Sequence, residues 1–459
     1  MSEKNWAGNV AYGEKKLRRP RTLDELQQQV ARAEAVRPLG SRHSFNTIAA
    51  TPGILVSFDR FEPVIDIDEV SMTVRVTAGI TYGVLGHYLQ QHGFALANLA
   101  SLPHISVSGA TATATHGSGD RNGNLATSIA SLQLVQANGS LVDISRGDEQ
   151  FDGYAVGLGA LGVISELTLD IEPTFDVAVS VFENLSWNDL AAHFDEITSA
   201  AYSVSLFTNW ANDTVDQVWL KQRRGRHALH RDVTADGTVD GASGGAADGT
   251  SGGAAGGAGG RAAGGTGGVA VGLGEGFFST RSATERRHPL PDVGAEACTE
   301  QLGLPGAWID RLPHFRLDFT PSKGDELQSE YLIPREHAVA AIDALRGLAH
   351  RIAPLLFISE IRTVAADTFW LSTASERDSV ALHFTWKPLG PEVEALLPDL
   401  ESALAPFGAR PHWGKVFAAD VSAIAPLYSR MPDFTRLAEQ VDPTHKFRND
   451  FLRAKLFGA

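Results

Sequence analysis

The chain has 459 residues and a formal charge of -15, from 54 acidic and 39 basic side chains. This length predicts two or three domains, and the acidic balance without a basic patch argues against nucleic acid as a partner. The single cysteine, Cys298, excludes intrachain disulfides, cysteine-ligated iron–sulfur clusters and cysteine-rich zinc sites. No stretch approaches about 18 consecutive apolar residues and no signal-peptide core is present, so we expect a cytoplasmic protein with neither a membrane partner nor a metal.

The first element is a helix that begins at a capping box, residues 22–25. A short extended segment leads from it to the loop 39–46, which contains Gly40, Ser41, His43 and Ser44. Small residues let successive backbone N–H groups converge on one concavity, which holds a phosphate without a lysine. The loop therefore predicts a pyrophosphate site with a histidine inside it, and a surface turn with an incidental histidine is the alternative.

Strand-like alternation follows at residues 54–58, 64–68 and 73–77, and after it comes a second unusual segment, residues 98–119. Small and hydroxyl-bearing residues dominate that segment, so the backbone can approach a flat ligand closely along a long path. The pair Asn-Gly at 138–139 then predicts a hairpin. The first third of the chain is therefore α+β and carries two segments suited to a ligand.

Glycines mark two later stretches. Residues 157–164 set glycines against an apolar strand that ends at Ile164 and is consistent with a core strand. Residues 237–276 are almost wholly Gly, Ala, Ser and Thr, and they bury too little apolar surface to offset the entropy of ordering. This composition predicts a flexible insertion. The alternative, a glycine-rich phosphate loop, lacks the Gly-Lys-Ser/Thr ending.

Polar residues alternate with apolar ones in two strands further along the chain. In the strand 357–363, a period of two places Glu360 and Arg362 on one face. In the next strand, His383 and Thr385 lie opposite an apolar face. These pairs are available for a ligand, and solvent-facing strand surfaces are the alternative.

A third strand, residues 410–417, contains the run His-Trp-Gly-Lys. A regular strand would direct His412 and Lys415 to opposite faces, so Gly414 predicts a bulge or a close ligand contact. The run resembles a signature of sugar-alcohol and sugar-lactone oxidases. In those enzymes the histidine approaches the flavin and the lysine approaches the substrate hydroxyl.

With the two small-residue segments, this run makes the chain resemble the vanillyl-alcohol-oxidase type of FAD enzymes, and within it the bacterial alditol (xylitol) oxidases. The resemblance covers nearly the whole chain except the insertion. It implies an α+β, two-domain oxidase: an α+β FAD-binding domain at 1–176 and an α+β substrate (cap) domain on an antiparallel sheet at 177–420. A C-terminal segment, 421–459, would return to the FAD domain. The Asp442-Pro443 pair in it resembles the family's closing motif, with an ordinary helix-entry turn as the alternative.

The resemblance also implies the site residues. FAD would be bound covalently through His43, and Lys415 would stabilise the substrate hydroxyl oxygen as its proton leaves. The implied FAD contacts are Pro38, Leu39, Gly40, Ser41, Arg42, His43, Ser44, Ser101, Ser106, Gly109, Thr113, Ala114, Thr115, His116, Ile164 and His412. The implied polyol-binding residues are Ser101, Glu360, Arg362 and Thr385, and the implied catalytic residues are Lys415, Arg362, Glu360 and His383.

The implied reaction oxidises the terminal CH2OH of an acyclic polyol to the aldose, reduces O2 to H2O2 and needs no protein partner. An aldono-1,4-lactone oxidase or dehydrogenase is the alternative enzyme, and a non-catalytic sugar-binding protein is the alternative outside enzymes. The two polar strand pairs favour the open-chain polyol. Arg42 departs from the pattern, because close relatives often carry Gly there. A positive φ at that position would strain an arginine.

Overall fold

The computed structural model describes residues 4–12, 17–225, 277–319 and 326–458. The predicted insertion at 237–276 lies outside the described residues. Within them, helices and antiparallel sheets are mixed along the chain, and the predicted α+β class is confirmed.

The elements of the first third form three small sheets with the helices that cover them. The strands are β1 Leu17–Arg18, β2 Val36–Leu39, β3 Ile54–Ser57, β4 Ile65–Asp68, β5 Thr73–Thr77, β6 Phe94–Ala95, β7 Ile129–Val135, β8 Leu141–Ser145, β9 Val163–Asp170 and β10 Glu172–Pro173. The helices are α1 Leu23–Arg32, α2 Tyr82–Gln91, α3 Val107–Ala112 and α4 Phe151–Ala155. Strands β1, β3 and β2 are parallel, β4-β5-β9-β7-β8 form an antiparallel sheet, and β10 pairs with β6.

The local signals in this region act as their residue types predict. The Thr22 hydroxyl accepts the backbone N–H of Glu25 at the start of α1, and Leu26 and Val30 face the core. Gly139 takes a φ of 87° in the turn between β7 and β8, a conformation that glycine adopts without steric cost. The ligand loop 39–46 leaves directly from the end of β2.

The elements that follow Pro173 build one large sheet. The strands are β11 Asp176–Ser186, β12 Ser203–Thr208, β13 Thr214–Arg224, β14 Arg281–Ser282, β15 Pro305–Ala307, β16 Leu327–Pro334, β17 Leu356–Val364, β18 Ser379–Trp386 and β19 Arg410–Pro411. The helices are α5 Trp187–Ala192, α6 Phe194–Thr198, α7 Ala338–Gly347, α8 Ala349–Ile352, α9 Gly390–Leu404, α10 Val421–Ile424, α11 Met431–Val441 and α12 Asp450–Leu452, which a π-helical turn Arg453–Phe457 follows. Among the described residues the antiparallel order is β14-β11-β13-β12-β17-β18-β16-β19, with β15 beside β11.

The two faces of the large sheet differ in character. Leu382, Phe384 and Trp386 of β18 are buried in one apolar cluster with residues of α7 and α9, such as Leu345 and Val393. Since successive side chains of a strand point to opposite faces, the alternate residues of β16, β17 and β18 face away from these helices. That second face carries the polar side chains.

The C-terminal segment packs against the first third of the chain. The Lys446 ammonium donates to the carbonyl of Val30 at 2.8 Å, and the Asn449 amide donates to the carbonyl of Ile48 at 2.9 Å. The helix-entry alternative for Asp442-Pro443 is wrong. Asp442 follows the last residue of α11, and its carboxylate accepts the backbone N–H groups of residues 446 and 447.

Candidate active site

A long cavity runs between the loops of the first third and the polar face of the large sheet. It is lined by every residue predicted to contact FAD or substrate except Ala114. Ala114 is fully buried, with a φ of 54° in the turn that ends α3, and its contact with FAD stays a prediction. The two predicted sets of residues, distant in sequence, therefore lie in one cavity.

At one end of the cavity, two loops are joined by a reciprocal pair of hydrogen bonds. The backbone N–H of Ser41 donates to Ser106 Oγ at 3.3 Å, and the backbone N–H of Ser106 donates to Ser41 Oγ at 3.0 Å. A Cβ at Gly40 would fall on the Ser106 hydroxyl. The backbone at Gly40 thus approaches the Ser106 side chain as closely as a glycine permits, and backbone N–H groups held in such a concavity suit a phosphate.

Arg37, a buried residue that the sequence analysis did not identify, holds the backbone around these loops through four hydrogen bonds. Arg37 donates to the carbonyls of Ile48 and Leu158 at 2.7 Å, of Gly159 at 2.8 Å and of Phe447 at 3.0 Å. Burial lowers the pKa of Arg37 to about 10, so the guanidinium remains charged at neutral pH. One side chain therefore ties the ligand loop to the glycine stretch 157–164 and to the C-terminal segment.

His43 lies on the cavity wall in a defined orientation. Its Nδ1 faces the carbonyl of Ser41 at 3.0 Å, and its ring stacks on Trp6 with centroids 4.8 Å apart. A carbonyl only accepts, so Nδ1 must carry the proton and Nε2 keeps its lone pair. Burial lowers the pKa of His43 to about 4. The neighbouring Arg42 has a φ of 65°, so the strain expected at that position is present.

At the other end of the cavity, the period-two predictions for β17 and β18 are confirmed. Arg362 Nε lies 3.6 Å from Glu360 Oε2, and His383 Nε2 lies 3.1 Å from Thr385 Oγ1. Glu360 pairs directly with His383 across the two strands. The Arg362 guanidinium also reaches Ser101 Oγ, at 3.4 Å, which joins the large sheet to the loop 98–119.

Glu330, on β16, stands at the centre of this cluster and is 2% exposed. Its Oε1 accepts from Arg362 at 2.5 Å and its Oε2 accepts from Lys415 Nζ at 2.7 Å. His116 Nε2 and His383 Nδ1 lie 3.4 Å and 3.6 Å from Oε1. Burial alone would raise the pKa of Glu330, but the cations Lys415 and Arg362 hold that pKa well below its usual range.

Sequence reasoning missed Glu330, although a signal was present. In β16 the residues Gln328 and Glu330 alternate with apolar or small ones, as Glu360 and Arg362 do in β17. A second missed residue, His314, lies in a loop and carries no periodic signal. Its Nε2 lies 2.7 Å from Glu360 Oε1.

The third predicted strand is wrong beyond its first two residues. Strand β19 ends at Pro411, and a turn follows in which the N–H of Lys415 donates to the carbonyl of His412 at 3.1 Å. The predicted bulge at Gly414 is therefore a turn, and its carbonyl accepts from the N–H of Phe45 at 2.7 Å. This turn lets His412 and Lys415 line the same cavity, which a regular strand would not allow.

Lys415 has one N–H left for a ligand. Its Nζ donates to Glu330 Oε2 and lies 2.6 Å from His383 Nδ1, and an ammonium has three donors. Burial lowers the pKa of Lys415 and Glu330 opposes that shift. Burial and Lys415 lower the pKa of His383 to about 4. The neutral ring therefore accepts at Nδ1 and donates from Nε2 toward Thr385.

Four buried polar atoms of residues on the cavity wall have no hydrogen-bond partner among the described residues. Tyr12 Oη and Arg37 Nε belong to residues near the loop 39–46, and Arg362 Nε and His116 Nε2 belong to the cluster around Glu330. An unpaired buried polar atom costs about 1–3 kcal/mol, so these atoms are expected to meet groups of a bound molecule. The cavity thus combines a backbone cradle at one end with charged groups at the other.

Comparison with known proteins finds a family match in each of the two parts of the chain that line the cavity. A family model described as FAD binding domain matches residues 15–145, and one described as D-arabinono-1,4-lactone oxidase matches residues 323–455. The chain is 43% identical to an alditol oxidase from a Streptomyces species, over 99% of each chain. This chain belongs to the alditol oxidase family.

Two further matches of this alditol oxidase family member are less similar in sequence. An L-gulono-1,4-lactone dehydrogenase of Mycobacterium tuberculosis is 28% identical over 98% of each chain. Among solved structures, a cholesterol oxidase from B. sterolicum matches with a TM-score of 0.72 at 15% identity, over 99% of this chain and 96% of that one. This last match shows the shared fold alone and confirms the predicted two-domain FAD oxidase architecture.

Membership in the alditol oxidase family makes the protein an FAD-binding oxidoreductase. The cavity fits that cofactor, since Gly40, Ser41 and Ser106 line it and all three lie in the matched FAD-binding region. Within the described parts of the chain, we find no helix with the length and apolarity to cross a membrane.

Proposed function

We propose that the protein oxidises the terminal CH2OH of an acyclic polyol of the xylitol or sorbitol type to the aldose, with O2 reduced to H2O2. The observation that carries this proposal is the cluster around Glu330, which presents Lys415 and Arg362 to the cavity together. A relative named alditol oxidase supports the substrate class.

In this proposal, residues 1–176 and 421–459 form the FAD-binding unit and residues 177–420 form the cap. The cradle at Gly40 and Ser106 holds the pyrophosphate, and His43 bonds covalently to the flavin. His43 suits that bond because its pKa of about 4 keeps a lone pair available at neutral pH. When bound, FAD accepts a hydride from the substrate carbon and passes the electrons to oxygen.

The hydroxyls of the polyol bind to Ser101, Glu360, Arg362 and Thr385. These side chains offer carboxylate acceptors, guanidinium donors and hydroxyls that can do either. Because leaving any buried member unmatched costs about 1–3 kcal/mol, a substrate with a hydroxyl on each carbon is favoured over an apolar one. The unpaired Arg362 Nε is one donor that a polyol oxygen satisfies.

Lys415 acts on the hydroxyl that reacts. Its remaining N–H donates to that oxygen and stabilises the negative charge that develops there as the hydroxyl proton is released to solvent and the carbon gives up its hydride. Glu330 holds the Lys415 ammonium and the Arg362 guanidinium in place through bonds of 2.7 and 2.5 Å. His383 Nδ1, which lies 2.6 Å from Lys415 Nζ, accepts a second N–H of the lysine.

A substrate panel tests the proposal. Purified protein is mixed in aerated buffer with xylitol, sorbitol, mannitol and aldono-1,4-lactones, and peroxide is measured. We expect a yellow protein that forms one peroxide per polyol oxidised and prefers polyols to lactones by tenfold or more in kcat/KM. Preference for a lactone would contradict the polyol assignment, and a colourless protein that binds sugars without peroxide would contradict the oxidase.

A further inference from the structure

Beside Glu360 lie two buried side chains that the proposed reaction does not use, and one of them, His314, lines the cavity. Lys221 projects from β13 and is 1% exposed, and His314 follows β15 in a loop and is 4% exposed. A buried lysine costs several kcal/mol unless its charge or its N–H groups are matched. The N–H groups of Lys221 are therefore expected to have partners.

The two side chains form a directed chain of hydrogen bonds that ends on Glu360. Lys221 Nζ donates to the carbonyl of Leu312 and lies 2.9 Å from His314 Nδ1. His314 Nε2 lies 2.7 Å from Glu360 Oε1. An amine donates to an imidazole nitrogen and a carboxylate only accepts, so Nδ1 of His314 must be bare and Nε2 must carry the proton.

The protonation states allow this arrangement at neutral pH. Burial and Lys221 lower the pKa of His314 to about 4, so the ring is neutral and has a single N–H. Burial lowers the pKa of Lys221 to about 7, with Glu360 opposing the shift. In either form the lysine has enough N–H groups for Leu312 and His314 together. The tautomer of His314 is the same in both cases.

The position of the His314 ring is fixed as well as its tautomer. Its edge contacts with Phe207 and Trp219 place the ring centroids 5.5 and 5.3 Å apart. The backbone N–H of His314 donates to the carbonyl of Ser101 at 3.1 Å. The same loop residue thus contacts both a proposed polyol-binding loop and a proposed polyol-binding carboxylate.

The hydrogen bond between His314 and Glu360 Oε1 leaves Glu360 Oε2 available for a ligand. With Oε1 held by His314, Oε2 lies 3.6 Å from Arg362 Nε, which has no hydrogen-bond partner among the described residues. An acceptor and a donor at this separation suit one hydroxyl, because a hydroxyl donates and accepts at once. A carbonyl or ether oxygen could only accept.

We propose that Lys221 and His314 are positioning residues that hold Glu360 so that its Oε2, together with Arg362 Nε, binds one substrate hydroxyl. The role rests on the proposed polyol oxidation for its effect on KM. The hydrogen-bond chain itself does not depend on the substrate. Lys221 donates to the bare Nδ1 of His314 and keeps the ring neutral, and the N–H at Nε2 holds Glu360, in the way that outer hydrogen bonds orient ligand-binding groups.

Matched variants of the flavin-loaded enzyme test the role of His314. His314→Met removes the donor to Glu360, whereas His314→Gln keeps an N–H near the position of Nε2. We expect His314→Met to raise KM for xylitol by about tenfold or more while kcat changes by less than about threefold. His314→Gln should stay within about threefold of wild type in KM. His350→Met, at an exposed histidine, is the control for substitution itself.

Nitrogen NMR of histidine-labelled enzyme tests the series of hydrogen bonds from Lys221 to Glu360 without a measurement of activity. The chain has 15 histidines, and the signal that His314→Gln removes identifies His314. We expect a neutral ring protonated at Nε2 in wild type. In Lys221→Met the ring should keep that N–H and take up a second proton at a higher pH than in wild type, because Lys221 no longer lowers its pKa. An Nδ1-protonated or charged ring in wild type, or equal KM values for His314→Gln and His314→Met, would overturn the proposal. If no polyol is oxidised, the proposed function fails, and the ring tautomer still decides the roles of Lys221 and His314.

Discussion

The two ends of the cavity present different chemical groups to a ligand. At the proposed FAD end these groups come from backbone and small hydroxyl residues, such as Ser41 and Ser106, and the buried Arg37 guanidinium donates to backbone carbonyls. At the cap end, Glu330 and Lys415 form a buried ionic cluster with their neighbours. The first end is therefore sensitive to added volume, and the second is sensitive to removed charge.

The largest effect is expected for His43, the residue proposed to bond covalently to FAD. Acid-precipitated wild type should keep its yellow colour in the pellet, and His43→Ala should release it completely, because no other bond retains the flavin once the fold is lost. Colour measured in pellet and supernatant checks this. His350→Ala is the control, and wild-type colour in the supernatant would refute covalent attachment.

Removing the charge of Lys415, beside the proposed substrate, should lower the rate of reaction and leave the flavin content unchanged. Lys415→Ala is expected to lower the rate of flavin reduction by xylitol by about a hundredfold or more, as the loss of one preorganised donor does. Lys387→Ala is the matched control, since Lys387 Nζ donates to the Pro354 carbonyl at the outer end of β18. Near-normal reduction in Lys415→Ala would remove this lysine from the mechanism.

Glu330→Gln should destabilise the fold, because it removes the anion that contacts the two buried cations Lys415 and Arg362. The expected loss in the free energy of unfolding is about 3 kcal/mol at pH 7, measured with denaturant. The folded pKa of Glu330 is depressed, so its stabilisation is present above the ordinary glutamate pKa of about 4.3. It is lost as pH falls through the folded pKa.

The gap in stability between wild type and Glu330→Gln should therefore shrink in acid. Glu392→Gln, at an exposed position in the first turn of α9, controls for the loss of a surface charge. A gap that grows in acid would contradict an ionised Glu330.

The smallest effect is expected when a methyl group is added at the FAD end, and it is compared with a methyl group added where there is open space. Gly40→Ala should lower the flavin content per protein and destabilise the fold by about 1–3 kcal/mol, since the new Cβ would meet the Ser106 hydroxyl. Gly347→Ala, at the end of α7 with no atom near the new Cβ, should leave both unchanged. Equal behaviour of the two variants would show that the cradle tolerates volume.

The same contrast explains what sequence could predict. The FAD loops are contiguous, so composition marked them, and the Glu360–Arg362 pair followed from the period of one strand. Glu330 was missed because its partners lie on other strands, and the register that sets it opposite His383 is a property of the assembled sheet. His412 and Lys415 share a cavity only through a turn that strand periodicity could not show.

Anaerobic mixing of the purified enzyme with xylitol, followed by mixing with aerated buffer, tests the central claim most directly. Flavin absorbance is followed in both steps. We predict bleaching at least as fast as turnover, then recovery of the oxidised colour at a rate that supports turnover, with one peroxide formed per flavin. Bleaching by an aldono-lactone and not by xylitol, or recovery far slower than turnover with an artificial acceptor, would contradict a polyol oxidase.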